Sequence, residues 1–488
     1  MTPAPAPVTH REVAFRAETG GSFAPTWGQR YIRAEIQRIG PADDWNRQLR
    51  AYLPADEQGP VTVARALDAI RTLTERHASL RTRFRLDPAG GIEEQQVGAA
   101  GRVTVEIITA DDAQQCEDEV SARLNASVAE HFDLEWDWPA RFVLGVHSPD
   151  STSSTQKTHS THSTHSTQSA QSHAAHIIGI VTPHVCLDGA GAVAVVEDLR
   201  RIVAGHQPPP IGLDPLTAAA EECGPAARRR SEQAVEAMRE AITAAAHNPL
   251  RTQRRTDSTA QFQSAHLSTE AFQSAHDYLG RRLGLFASGA ITLVATAAAL
   301  RRALGDEATT FKVECANRWT PKTKSYVGHR AQPVYIAAPG NPTDPPEAIR
   351  TVDQAIRAAA RHCPHDPDAV QALIDEHTAD PSIYFNDLRS LAADLGPSHP
   401  RLHSALPDAF LHPAPDPTPI ELHNPRPIGT GSHRIKLSVS LTSYEDRLYL
   451  TLEADDAYLG LDELPALLRD IEQTVVTLAR TEYQQPVN

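Results

Sequence analysis

Apolar residues recur along this chain at two alternating periods, one helical and one of strands. Val63, Leu67, Ile70 and Leu73 fall at helical spacing and predict a helix from approximately Val61 to Leu80. Arg81–Leu86 and Val103–Ile108 read as strands, Asp111 to His131 as a helix, and Arg141–His147 as a short strand. His176–Thr182 is rich in β-branched residues and apolar on both faces, the composition of a central strand, and Ala190–Ala204 follows as a helix. In the second half, helices are predicted at Ser268–Arg282, Ser288–Leu304, Pro345–Arg361 and Leu461–Arg480. Strands are predicted there at Thr310–Ala316, Pro333–Ile336, Ser382–Phe385, Arg434–Leu441 and Arg447–Ala454. Helix and strand mixed in both halves predict two α/β (mixed α+β) lobes.

The lobes are assigned to residues 1–205 and 262–488, joined by a connector over 206–261. The connector opens on the Pro-rich QPPPIGLDP and contains a charged helix near Ala226–Ala246. Within the first lobe, Ser151–His173 is built almost wholly from Ser, Thr, His and Gln, so a disordered loop is expected over 148–175. Leu283–Leu300 carries no charge, but its Ala, Thr, Gly and Ser offer too little apolar surface for a spanning helix. It is predicted to be a buried helix of a protein with no membrane association.

Charge and cysteine content narrow the function classes. The 488 residues hold 46 Lys+Arg against 61 Asp+Glu, a net charge of −15, which leaves no basic field for a nucleic acid. Five widely spaced cysteines exclude a disulfide scaffold and a zinc ribbon, and suit a reducing compartment. Met1–Arg16 lacks the apolar core of a signal peptide, so a cytoplasmic location is expected.

The stretch His176–Leu199 holds the candidate chemistry. His184 sits at the end of a strand and Asp188 at the turn into a helix, with Gly189 and Gly191 permitting a tight turn and close backbone approach. Two readings stand. In one, His184 is a general base near neutral pH and Asp188 is held inward by a cation. In the other, His184 is a satisfied core histidine and Asp188 a helix cap. Cys186 would share a face with His184 if the segment is extended, and reads as a packed core thiol. His159, His162 and His165 lie in the polar loop, where no fixed geometry would hold a metal.

His184-x-x-x-Asp188-Gly189 after an apolar strand resembles the core motif of condensation domains of non-ribosomal peptide synthetases, in the chloramphenicol-acetyltransferase-like superfamily. Further segments resemble that family in its order: Ala24–Arg30 (APTWGQR), Arg76–Phe84 (RHASLRTRF), His131–Leu134 through Pro139–Arg141, Asn317-Arg318 with Val327-Gly328, and Phe385-Asn386-Asp387. The resemblance spans approximately residues 12 to 480. It departs at Pro183, where the family has its first motif His, at Gly191 and Asn317, and in Val327–Ala331 (VGHRA).

The resemblance implies two lobes in a V with a central tunnel, and carrier proteins docking at opposite faces to deliver acyl groups on phosphopantetheine arms. By the same resemblance, His184 contacts the acceptor nucleophile, Asp188 pairs with Arg318, and Gly189 offers backbone near the oxyanion. Trp319 and Asn386 are tunnel-lining candidates, while Trp27, Trp45, Trp136 and Trp138 read as core. Arg228-Arg229-Arg230 reads as a solvated helix start able to meet an acidic carrier. The expected function is that of a free-standing condensation enzyme, a monomer with no bound cofactor or metal. Its peptidyl or acyl carrier proteins would act in trans, because the length leaves no room for an adenylation domain and no Ser follows Arg480. An ester-forming acyltransferase or an epimerase of the same fold, and a non-catalytic scaffold, are the alternatives.

Overall fold

The structure is a computed structural model and describes residues 6–39, 45–53, 59–148, 173–256, 258, 261–305, 308–389, 408–412, 419–427, 435–444 and 447–485. Two compact units emerge. One comprises Met1–Ile36, Pro41–Glu221 and Arg318–Arg330; the other comprises Gln37–Gly40, Glu222–Asn317 and Ala331–Asn488. This differs from the lobes read along the sequence, because Arg318–Arg330 joins the first unit and the latter part of the expected connector packs into the second. The helix Pro225–Ala244 has a charged surface, yet Ala227, Ser231, Ala234, Met238 and Ile242 recur on one face and are buried. Ala234, Met238 and Ile242 belong to the second unit's core.

In the first unit, five strands lie in the order Val8–Arg16, Ala100–Ala110, Arg141–His147, Ala174–Pro183 and Asn46–Tyr52. Alternation on the central strands sends side chains to two cores. Leu144, Ile178 and Ile180 meet Ile70 and Leu73 of the helix Val63–Arg76, and Val195, Val196 and Leu199 of the helix Gly189–Val203. Val143, Ile177 and Val181 face the other way, onto Cys116, Val120 and Leu124 of the helix Ala113–Val128. Burial on both faces explains why Ala174–Pro183 reads as a nearly unbroken apolar run. A smaller sheet orders Gly21–Phe23, Ile92–Val97 and Thr82–Leu86.

The loop expected over 148–175 is shorter at its end. Ala174 pairs with His147 and Ala175 with Val146, and both alanines are buried strand residues. Residues 149–172, and with them His159, His162 and His165, lie outside the described residues.

The second unit holds a seven-stranded sheet ordered Gln332–Pro339, Ala308–Cys315, Ile383–Asp387, Leu437–Tyr444, Arg447–Asp455, Gln261–Leu267 and Glu421–Pro427. Against it packs the helix Gly289–Leu304, whose residues from Gly289 to Leu300 are all buried. From Gly289 on the uncharged stretch is thus an interior helix, whereas Leu283–Ser288 precede it with Phe286 53% exposed; among the described residues no helix is long and apolar enough to cross a membrane. Lys436 and Asp380 form an ion pair in this unit, with side chains 8% and 18% exposed. A groove of about 800 Å³ runs between the helices Gly289–Leu304 and Leu464–Gln484 and the start of Pro345–His362. Cys116, Cys186 and Cys315 are buried free thiols, Cys363 is half-buried and Cys223 exposed.

Candidate active site

The central strand ends at Pro183, and the chain then turns at once. Cys186 N donates to Pro183 O at 2.9 Å and Leu187 N to His184 O at 3.2 Å. The segment is therefore not extended, and His184 and Cys186 do not share a face by period two. Cys186 packs with Ile32, Ile36, Phe84 and Val185, and burial pushes its thiol pKa up. It is a core thiol.

His184 is fixed on three sides. Its Nδ1 lies 2.8 Å from Leu187 O. A carbonyl only accepts, so Nδ1 carries the proton and the neutral ring presents its lone pair at Nε2. Trp45 stacks on the imidazole at 6.0 Å and 18°, and the ring of His329 meets it edge-on at 4.8 Å and 80°. Burial first, then Arg47 and His329, hold the His184 pKa well below the ordinary value. The base form prevails at neutral pH.

Asp188 accepts hydrogen bonds on both carboxylate oxygens. It caps the helix Gly189–Val203 by accepting from Gly191 N at 2.8 Å. Arg318 grips it with both arms, Nη2 to Oδ1 at 2.7 Å and Nη1 to Oδ2 at 2.9 Å, and Arg330 N donates to Oδ2 at 2.8 Å. Side-chain exposure is 3% for Asp188 and 6% for Arg318. Burial alone would raise the carboxyl pKa, but Arg318 and His329, with the Arg330 amide, bring it down to about 2. Asp188 is thus a buried anion, and both the cap and the cation-held carboxylate read from the sequence are present in one residue. The remaining donor capacity of Arg318 reaches Tyr326 O and Gly328 O, each at 3.1 Å.

The motifs around this turn have physical reasons. Ser79 Oγ donates to Val327 O at 2.7 Å, which seats the segment 327–330. His77 and Arg76 both bind Asp198, at 2.9 and 2.8 Å, and tie the helix Val63–Arg76 to Gly189–Val203. A Cβ on Gly28 would lie 2.3 Å from His329 O, so only glycine lets the helix Trp27–Ile39 approach. A Cβ on Gly191 would lie 2.9 Å from Leu187 Cδ1 and 3.1 Å from Gly328 O.

The other predicted residues are placed as follows. Gly189 is the first residue of its helix and half-buried. Asn386 is half-buried on the strand Ile383–Asp387 of the second unit. Trp319 is 51% exposed and Trp136 is 73% exposed, so neither is a core residue; Trp27 is buried. Arg228, Arg229 and Arg230 are exposed at the start of their helix. Trp45, read from the sequence as core, is half-buried and stacks on His184, while the sequence does not single out His329 or Arg47 as site residues. The departure of Val327–Ala331 from the family pattern was the one signal pointing at His329. A hollow of about 170 Å³ is bounded by His184, Pro183, Asn46, Arg33, His131 and Asp133. Among the described residues, no three His, Cys, Asp or Glu side chains are arranged to hold a metal ion.

No protein-family model matches the sequence, and no curated protein matches it. Solved structures do. A condensation domain that mediates chain release from the enacyloxin polyketide synthase is similar over 96% of this chain and 84% of its own, with a TM-score of 0.65 at 18% identity. The epimerization domain of the third module of tyrocidine synthetase B is similar over 96% of this chain and 100% of its own, with a TM-score of 0.61 at 11% identity. A starter condensation domain of rhizomide synthetase in complex with C8-CoA is similar over 94% of this chain and 95% of its own, with a TM-score of 0.60 at 13% identity. The chain has the condensation-domain fold.

Proposed function

We propose that this chain is a condensation enzyme. It transfers an acyl or aminoacyl group from the phosphopantetheine arm of a carrier protein to an amine or hydroxyl acceptor. The observation that carries this reading is His184: a neutral imidazole whose Nδ1 proton is engaged by Leu187 O, so that Nε2 is a base at pH 7. The acceptor nitrogen attacks the thioester carbonyl, the new C–N bond forms, and the C–S bond breaks. His184 Nε2 takes the proton from the nucleophile and passes it to the departing sulfur. The Gly189 N–H, at the first turn of a helix, is offered to the oxyanion. Asp188 stays ionised and never carries the proton; it holds the helix start in register through Arg318. The transfer as written calls for no bound metal or redox cofactor.

Intact-protein mass spectrometry of acyl-loaded carriers, incubated with the chain and a panel of amine and alcohol acceptors, tests the reading. Loss of the acyl mass from the carrier only when both chain and acceptor are present is the expected result. Carriers that keep their load with every acceptor would overturn it. A second reading, an epimerase, is favoured by the likeness to the tyrocidine synthetase epimerization domain. It predicts solvent-deuterium incorporation into a carrier-bound aminoacyl group with no acceptor present.

A further inference from the structure

We infer that His329 is the positioning residue of this site: its imidazole fixes both the backbone and the ring of His184, and so the tautomer that leaves Nε2 open to substrate. The inference rests on the reading of His184 as the proton-accepting group.

The geometry is specific. His329 Nδ1 lies 3.0 Å from His184 O, and since the carbonyl accepts, this nitrogen donates. The same carbonyl accepts from Leu187 N, the bond that brings Leu187 round for its own carbonyl to meet His184 Nδ1. Loosening one bond therefore loosens the other. The His329 ring also meets the His184 imidazole at 4.8 Å and 80°, in addition to the stacked Trp45.

His329 has little freedom of its own. It is 2% exposed. Val327 O is tied to Ser79, Arg330 N is tied to Asp188, and the His329 carbonyl lies against Gly28 where no Cβ fits. A phenylalanine would fill similar space without the cost of burying polar nitrogens. A buried imidazole whose donor meets the backbone of the reacting histidine is the arrangement of a second support behind a working side chain.

The test uses the full chain labelled with ¹⁵N-histidine. Long-range ¹H–¹⁵N spectra report which nitrogen of each ring is protonated, and the His184 signals are identified by their loss in His184→Ala. The wild type is expected to show His184 protonated at Nδ1. His329→Phe keeps the ring volume and removes the donor. It should mix the His184 tautomers and lower kcat by about 10- to 100-fold with little change in KM, as displacement of a reacting group does. His329→Asn restores a donor near the Nδ1 position and should recover most of the turnover and the single tautomer. Ser79→Ala releases Val327 O with both imidazoles in place, and should move the His184 signals the same way by less; it serves if His329→Phe does not fold. Unchanged His184 signals in the Phe and Ser79 variants would overturn the inference. So would equal loss in the Phe and Asn variants in step with lowered melting temperature, which would make His329 a packing residue. Should the wild type form no product while the His184 signals respond as stated, the acyl-transfer reading fails and the positioning role stands.

Discussion

Each unit buries an ion pair between residues distant in sequence, and the two pairs are built differently. Asp188–Arg318 in the first unit uses a planar fork on both carboxylate oxygens, which also take the Gly191 and Arg330 amides. Asp380–Lys436 in the second uses a point charge, which touches one carboxylate oxygen, Arg251 O at 3.3 Å and the face of Tyr458 at 4.5 Å. The fork fixes direction as well as charge, so it registers a helix start and the segment 328–330 against His184. The ammonium neutralises Asp380 and meets Arg251 O, but has no planar fork to set the carboxylate's direction. Burial of a pair is thus no mark of chemistry; what the pair orients is.

The comparison breaks most visibly at the residue that only the first pair serves. His184→Ala should lower acyl transfer by about 10²–10⁴-fold with the melting temperature close to wild type, whereas Lys436→Met should leave transfer unchanged. Paired turnover and melting measurements decide it, and a Lys436→Met protein that loses transfer would show that the second pair also serves the site. Next in size, Asp188→Ala strands Arg318 in a dry site and should cost about 3–5 kcal/mol in denaturant unfolding. Lys436→Met should cost less, about 1–2 kcal/mol, because water reaches the 18%-exposed Asp380 side chain. Equal costs would erase the distinction between fork and point charge.

The smallest effect is set by pH. His365 is 1% exposed, and burial lowers its pKa to about 4. The unfolded chain takes up this proton first, near an ordinary histidine value of roughly 6.5. Stability present above that pH is therefore lost as pH falls toward 4, by about 1 kcal/mol at pH 5.5. Asp188, held at about 2, stays charged throughout this window, so its pair with Arg318 contributes nothing to the loss. Between pH 7.5 and 5.5 the wild type should lose more unfolding free energy than His365→Asn by about that amount.

Periodicity was enough for the interior elements. Ile177–Thr182 and Gly289–Leu300 are buried throughout, and such segments write their environment into composition. Val8–Arg16 was missed because it lies at the sheet's edge and buries only Val13 and Phe15, leaving polar residues elsewhere. Asn46–Tyr52, at the other edge, is similarly mixed. At the site, the closeness of His184, Asp188 and Gly189 was legible because all three stand within six residues of one motif. Cys186 is the core thiol its sequence context suggested; only the face it would share with His184 in an extended segment is absent, because the chain turns at Pro183 O. Trp45 and His329 stand 139 and 145 residues from His184, by subtraction of their numbers, and nothing local signals that they meet it.

The 130 residues between Asp188 and Arg318 also set a clock. A ribosome adding about 5–20 residues per second needs roughly 7–26 s to pass from one partner to the other. Once residue 203 is added, the nascent chain contains the whole strand, turn and helix that hold His184, yet the Asp188 carboxylate has neither its guanidinium nor the amide of Arg330. The five-stranded sheet can close first; the turn at its end cannot reach its final form until the far segment emerges. A chain stalled in translation before residue 318 would be a folded sheet with an unfinished site.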